Sequence, residues 1–277
     1  MTRTALLQLR STDDPEANLP VTLAAIEAAV DGGAELVLTP EVTNCISARR
    51  DRQEAVLRPE ADDPTLAAIR EAAARLGVHV VIGSLALKGE VDERFVNRCF
   101  VIGADGAIRA RYDKIHMYDA DPSPGERYRE SSGYRPGSRA VLADAAGLCL
   151  GLTICYDVRF PSLYRALAQA GAQVLTVPSA FSPVTGAAHW EPLLRARAIE
   201  TGCYVLAPAQ CGEHAAVRGP PRRTHGHSLA VSPWGEVLCD LGEEPGLAIV
   251  DVEPEPVAAA RRRIPSLAHD RDFEAPG

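Results

Sequence analysis

One phrase recurs four times along the chain, and it restricts the fold more than any other feature. An alanine-rich run with helical spacing leads to a glycine, and the glycine to a β-branched run. The four instances are AAIEAAVDGGAELVLTPE, IREAAARLGVHVVIGSL, YRALAQAGAQVLTVPSA and RARAIETGCYVLAPAQ. A glycine in that place supplies the left-handed backbone that ends a helix. Strands over 78–85 and 172–178 are apolar on both faces, the pattern of a sheet covered on both sides. Helix starts carry matching marks: Asp63-Pro64 reads as an N-cap followed by a first-turn proline, and Phe160-Pro161 opens the next helix similarly. Helices alternating with buried strands predict an α/β fold.

Between the second and third phrases the texture changes. RFVNRCFVIGADGAIRARYDK reads as a hairpin with Asp105-Gly106 in its turn. HMYDADPSPGERYRESSGYRPGSR follows, polar and rich in Pro, Gly and Ser, and is expected to form a long loop. A late strand pair, GHSLAVSPWGEVLCDL and GLAIVDVE, is expected to close the sheet system. No linker is visible. Crossovers and hairpins together predict mixed sheets with helices outside, in one domain over 1–277.

Composition narrows the function classes. The chain has 277 residues, 46% of them hydrophobic, enough for a sizeable core. No apolar run approaches the ~20 residues of a membrane-spanning helix. MTRTALLQLRSTDD turns polar too soon for a secretory signal, so a soluble cytoplasmic protein is expected. The net charge of −8 disfavours nucleic acid as a partner. Arg261-Arg262-Arg263 reads as a solvated helix end. The seven cysteines are odd in number and form no C-x-x-C, which suggests neither a disulfide framework nor a compact cysteine zinc site. Most are expected to be buried thiols in a reducing compartment.

Ligands of α/β sheets gather at the carboxyl ends of strands. Glu41 follows ELVLTP, Lys114 follows IRARYD, and Cys155 follows LCLGLTI. Singly, each has a plain reading: a helix-entry acid, a surface lysine, a core thiol. Together they form a kit for acyl transfer. A thiol of pKa ~8.5 is mostly protonated near neutrality. A neighbouring carboxylate can take its proton, and an ammonium can favour the thiolate and face the oxyanion formed on attack at a carbonyl.

These residues resemble the nitrilase superfamily of carbon–nitrogen hydrolases over nearly the whole chain. LVLTPE, RYDKIH and GLTICYDVRFP carry the resemblance, in the order Glu, Lys, Cys. The stretch PSAFSPVTGAAHWEPLLRARAIETGCYVLAPAQCG resembles the Nit-type amidase branch. The resemblance implies a four-layer αββα sandwich, assembled into homodimers or higher homo-oligomers. It implies Glu41 as general base, Cys155 as nucleophile and Lys114 as oxyanion stabiliser, with the Tyr156 N–H as second donor. It places a second glutamate at Glu130 rather than at nearby Glu126. Tyr156 and Asp157 after the cysteine, rather than Trp and Glu, point to amides rather than nitriles. The implied substrate is a small carboxylate-bearing amide. APAQCGEHAAV and HGHSLAVSPWGEV favour deaminated glutathione, with α-ketoglutaramate and α-ketosuccinamate as the alternative. The segment RGPPRRTHGH is longer and richer in Pro and Arg than the family pattern, and its arginines could attract a substrate carboxylate.

Ser179, Phe181 and Thr185 follow the strand QVLTVP and are candidate pocket residues, with packing as the competing role. Trp190, Arg197 and Glu200 are expected to brace a helix and a subunit interface. A metal-dependent hydrolase is the rival class, since His225 and His227 form H-x-H downstream of His214. A third ligand and a carboxylate partner are not evident, so neither metal nor cofactor is expected. A non-catalytic binding scaffold would not need Glu41, Lys114 and Cys155 together.

Overall fold

The computed structural model describes residues 1–274 apart from Glu90, Pro124 and Pro220. Two six-stranded sheets form its centre. The first runs in the order Gly246–Val252, Thr2–Gln8, Leu36–Leu38, His79–Lys88, Phe95–Ile102, Ile108–Asp113. The second runs Val237–Asp240, Leu229–Val231, Tyr204–Ala207, Val174–Thr176, Leu148–Leu152, Val141–Ala145. In each, three parallel strands lie between antiparallel ones, as the crossovers and hairpins predict.

Strand alternation sorts the side chains into layers. Leu6, Leu36, Leu38 and Val81 point inward and share one core with Leu148, Leu150 and Leu152 of the second sheet. Their neighbours Leu7, Val37, Val80 and Ile82 point outward, against Ile26 and Ala29 of helix Pro15–Asp31 and Leu66, Ile69 and Ala73 of helix Pro64–Leu76. Helices Pro161–Gln169 and Pro183–Thr201 cover the outside of the second sheet with Leu163, Leu167, Trp190 and Leu194. The result is the αββα sandwich.

Local signals in the sequence have visible causes. Asp63 caps its helix by accepting from the Leu66 amide at 2.8 Å. Gly77 and Gly202 close theirs with φ of 67° and 59°. Two expectations need correction. The polar segment after Lys114 is not one long loop: Asp119–Ser123 and Glu126–Arg129 pair as a small hairpin, followed by a turn of 3-10 helix, Glu130–Ser132. Its alternation of exposed and half-buried residues is too short and too polar to stand out from loop composition. The late strands also separate. Leu229–Val231 and Val237–Asp240 finish the second sheet, whereas Gly246–Val252 crosses to pair with Thr2–Gln8 in the first.

Gly83 joins the fold to the site. A Cβ there would lie 2.0 Å from the Thr39 carbonyl oxygen, 2.6 Å from that of Pro40 and 2.4 Å from Pro178 Cβ. The strand thus allows the segments before Glu41 and Ala180 to close onto it. Gly83→Ala is expected to cost about 1–3 kcal/mol, the usual range for overpacking, and to lower activity by shifting both segments. Chemical denaturation alongside turnover would check this, and unchanged values for both would refute it.

Candidate active site

Three strand ends deliver the site. The chain leaves Leu36–Leu38 through Thr39 and Pro40 to Glu41. Lys114 follows directly on Ile108–Asp113, and Cys155 lies beyond Leu148–Leu152 at the first residue of a 3-10 turn, Cys155–Arg159. All three side chains line one cavity of about 900 Å³, together with Glu130.

Lys114 ties the group together. Its Nζ donates to Glu41 Oε1 at 2.9 Å and to both Glu130 oxygens at 3.0 and 2.9 Å. Glu41 is fixed from every side. Its Oε1 also accepts from Asn97 Nδ2 at 2.9 Å, its Oε2 from the Ala180 amide at 2.8 Å, and its backbone carbonyl from Gln210 Nε2 at 3.1 Å. Glu130 Oε2 accepts from the Tyr118 amide at 2.6 Å. Burying so many charges is tolerable only because each finds an opposite charge or a donor.

Those contacts set the protonation states. Burial works against the ionised form of Glu41, but the charge and hydrogen bond of Lys114 outweigh it and hold the carboxyl below its ordinary range. Burial likewise disfavours the Lys114 ammonium, yet Glu130 and Glu41 hold it well above the usual lysine value. At Cys155 burial dominates and pushes the thiol up, the Glu41 charge adds to it, and Lys114 opposes without winning. The resting pair is therefore a carboxylate and a neutral thiol.

The backbone at the thiol is unusual. Cys155 has φ of 48°, a left-handed conformation uncommon for a residue with a Cβ. Surrounding bonds enforce it. The Cys155 amide donates to Pro178 O at 2.9 Å. Buried Asp157 accepts from the Ile154 amide at 2.8 Å, from Tyr112 Oη at 2.7 Å and from the His116 amide at 3.0 Å. The Tyr156 amide stands in the first turn of the 3-10 segment, where helical amides lack a partner within the helix.

Among the other candidates, Tyr156, Phe181 and Thr185 line the cavity. Ser179 does not. It is fully buried and its hydroxyl donates to Val177 O at 3.0 Å, because the chain turns after Pro178 and presents Ala180 instead. Glu126 lines the cavity too, but it is Glu130 that meets Lys114. Trp190 donates to His227 O at 2.7 Å, and Arg197 bonds Val158 O and Glu200, each at 2.8 Å, so the three brace the helix. The imidazoles have other partners. His214 lies between Ser11 O and Thr224 Oγ1, and His227 Nδ1 faces Asp240. Among the described residues no group of three or more His, Cys, Asp or Glu is placed to hold a metal ion.

Asn97, Ala180 and Gln210 were not legible as site residues. One signal existed: Asn97 is a buried amide in the run FVNRCFVI, whose other residues apart from Arg98 are apolar, a position where polar side chains need a reason. Its Oδ1 has no hydrogen-bond partner among the described residues, and neither have Tyr118 Oη, Glu126 Oε2 and Ser182 Oγ, all in residues of the cavity wall.

Comparisons with known proteins give the family. The profile of the carbon–nitrogen hydrolase family matches residues 3–262. The chain is 40% identical over 273 residues to the deaminated glutathione amidase of Yersinia enterocolitica, covering 96% of this chain and 92% of that one. The C. elegans NitFhit protein superposes with a TM-score of 0.88 at 35% identity, covering 98% of this chain and 65% of that one. An amidase of the nitrilase superfamily from Nesterenkonia sp. AN1 superposes with a TM-score of 0.77 at 30% identity, covering 95% of this chain and 98% of that one. That structure carries acrylamide added at its active site cysteine. The chain belongs to the carbon–nitrogen hydrolases of the nitrilase superfamily. Within them it is an amide-hydrolysing enzyme.

Two expectations follow from the protonation states. Because the thiol is neutral at rest, Glu41→Gln should slow labelling of Cys155 by iodoacetamide about a hundredfold, a typical loss of general-base assistance. Mass spectrometry of the labelled peptide would show it, and an unchanged rate would contradict the assignment of the base. Glu41 is depressed in the folded state, so its contacts stabilise the protein above the unfolded value of about 4.3 and are lost only as pH falls through the lower folded value. The plateau of kcat/KM should accordingly extend from neutrality down toward pH ~4.3. A carboxylate limb well above that would contradict it.

Proposed function

We propose that this enzyme hydrolyses the amide bond of a small carboxylate-bearing substrate through a thioester on Cys155, and that the substrate is deaminated glutathione. The observation that carries the reading is the Glu41 carboxyl held by Lys114 at 2.9 Å in the cavity that also holds the Cys155 thiol. Glu41 takes the Sγ proton as sulfur attacks the amide carbon. Lys114 and the Tyr156 amide hold the resulting oxyanion. Glu41 returns the proton to the leaving nitrogen and the C–N bond breaks. A water then gives a proton to Glu41 and attacks the thioester carbon; the sulfur leaves and recovers that proton, and the acid product departs. Glu130 keeps Lys114 charged and in place throughout.

Substrate choice is supported by the names of the full-length relatives and by the cavity of about 900 Å³, in which a keto-amide as small as α-ketoglutaramate would occupy only a small part. The span of the family match supports a single hydrolase domain. Seven free thiols fit a reducing compartment such as the cytoplasm. Ile199, Trp234 and Ile264, exposed together around a shallow groove, suit pairing with a second copy.

Release of amine or ammonia from deaminated glutathione, α-ketoglutaramate, glutamine and a simple nitrile tests the reading. Cys155→Ala should abolish turnover with the fold intact, and Lys114→Gln should lower kcat about 10²–10³-fold, as for loss of an oxyanion donor. Full activity of Cys155→Ala would end it. A preference for α-ketoglutaramate would change the substrate while keeping the mechanism.

A further inference from the structure

The cavity is more positive than the protein around it. Six cationic side chains line it against three carboxylates, on a chain of net charge −8. Such a concentration of one sign in a cleft focuses the field on an oppositely charged ligand. Most of the cations are already engaged. Lys114 is held by Glu41 and Glu130, Arg50 pairs with Glu54 at 2.9 Å, and Arg129 with Asp121 at 2.8 Å. Arg223 points outward, 3.8 Å from Glu213, its side chain 70% exposed.

Arg222 and Arg127 differ. Neither pairs with a carboxylate among the described residues, although both line the cavity. Arg127 is exposed, where a lone guanidinium is well hydrated. Arg222 is half-buried on strand Arg222–His225, where it is not. Its one hydrogen bond among the described residues runs from Nη2 to Ala180 O at 3.0 Å. The rest of the fork is left without an acceptor among those residues. A half-buried guanidinium with unused donors is a poor arrangement for stability alone and a good one for a planar anion. Ala180 also defines where this fork sits, since its amide holds the Glu41 base on the other side of the same residue. An anion on Arg222 would therefore sit within the reacting cavity.

We propose that Arg222, assisted by Arg127, binds a carboxylate of the amide substrate separate from the scissile bond, making this pair the determinant of selectivity for anionic amides. The proposal rests on the amidase reading for its substrate, but the binding it describes does not require turnover. The Arg-rich segment RGPPRRTHGH contains the strand that carries Arg222 to the cavity. A carboxylate can accept two parallel N–H bonds from the free edge of such a fork.

The test has two arms. In the first, kcat/KM is compared for glutaramate and for hexanamide, an uncharged amide of similar length. The wild-type enzyme should favour glutaramate, and Arg222→Gln should reduce that preference about tenfold or more, through KM rather than kcat. Arg127→Gln should reduce it less, and Arg222→Lys should retain part of it. In the second arm, glutarate should protect Cys155 from iodoacetamide in the wild-type protein and in Arg222→Lys, and fail to do so in Arg222→Gln. An unchanged kcat/KM of Arg222→Gln for hexanamide guards against misfolding as an explanation, because a displaced Ala180 would shift Glu41 and lower turnover of both amides. If neither amide is hydrolysed, and deaminated glutathione is not either, the amidase reading fails while the protection arm still reports on Arg222. An unaltered preference and unaltered protection in Arg222→Gln would overturn the proposal and leave Arg222 as a brace for Ala180.

Discussion

A buried ammonium between two carboxylates is the contact on which the rest of the site depends. Lys114 lies 73 residues from Glu41 and 16 from Glu130 along the chain, and none of the three could be buried alone. Together they are stable inside, and their mutual attraction decides which groups are charged. Without Lys114, burial would push the Glu41 carboxyl toward its neutral form and leave the proposed mechanism without a base. Without the two acids, burial would push the Lys114 amine toward its neutral form and leave no charge for the proposed oxyanion. In that mechanism the thiol gains reactivity only as its proton moves to a neighbour already prepared to receive it.

The sandwich supplies what that contact needs. Glu41 and Lys114 leave the first sheet, Cys155 and Ala180 leave the second, and the buried apolar interface between the sheets fixes their separation. Packed interiors of this kind do not deform gradually, so a substitution at Gly83, far in chemistry from any reacting atom, acts on two site segments at once.

How much of this was readable in the sequence follows from what produces each feature. Strands and helices of the repeated phrase were legible because their periodicity comes from burial, which every residue of the phrase records. The meeting of Glu41, Lys114 and Cys155 in one cavity was legible because α/β sheets bring strand ends together. The small hairpin before Glu130 was not, since its polar strands lack an apolar face. Ser179 was misplaced for a related reason: strand alternation stops at Pro178, and only the three-dimensional turn decides that Ala180 faces the cavity. Asn97 and Gln210 act across long sequence separations, 56 and 169 residues from Glu41, and nothing local announces such a partner.

Glu41 follows a strand of the first sheet and Cys155 a strand of the second, so on the proposed mechanism neither half of the molecule holds a working catalyst by itself. A chain opened between its layers would keep the sulfur and its proton acceptor apart. The proposed hydrolysis would thereby be confined to molecules whose two layers have closed, and an open one would stay chemically silent toward the amides around it.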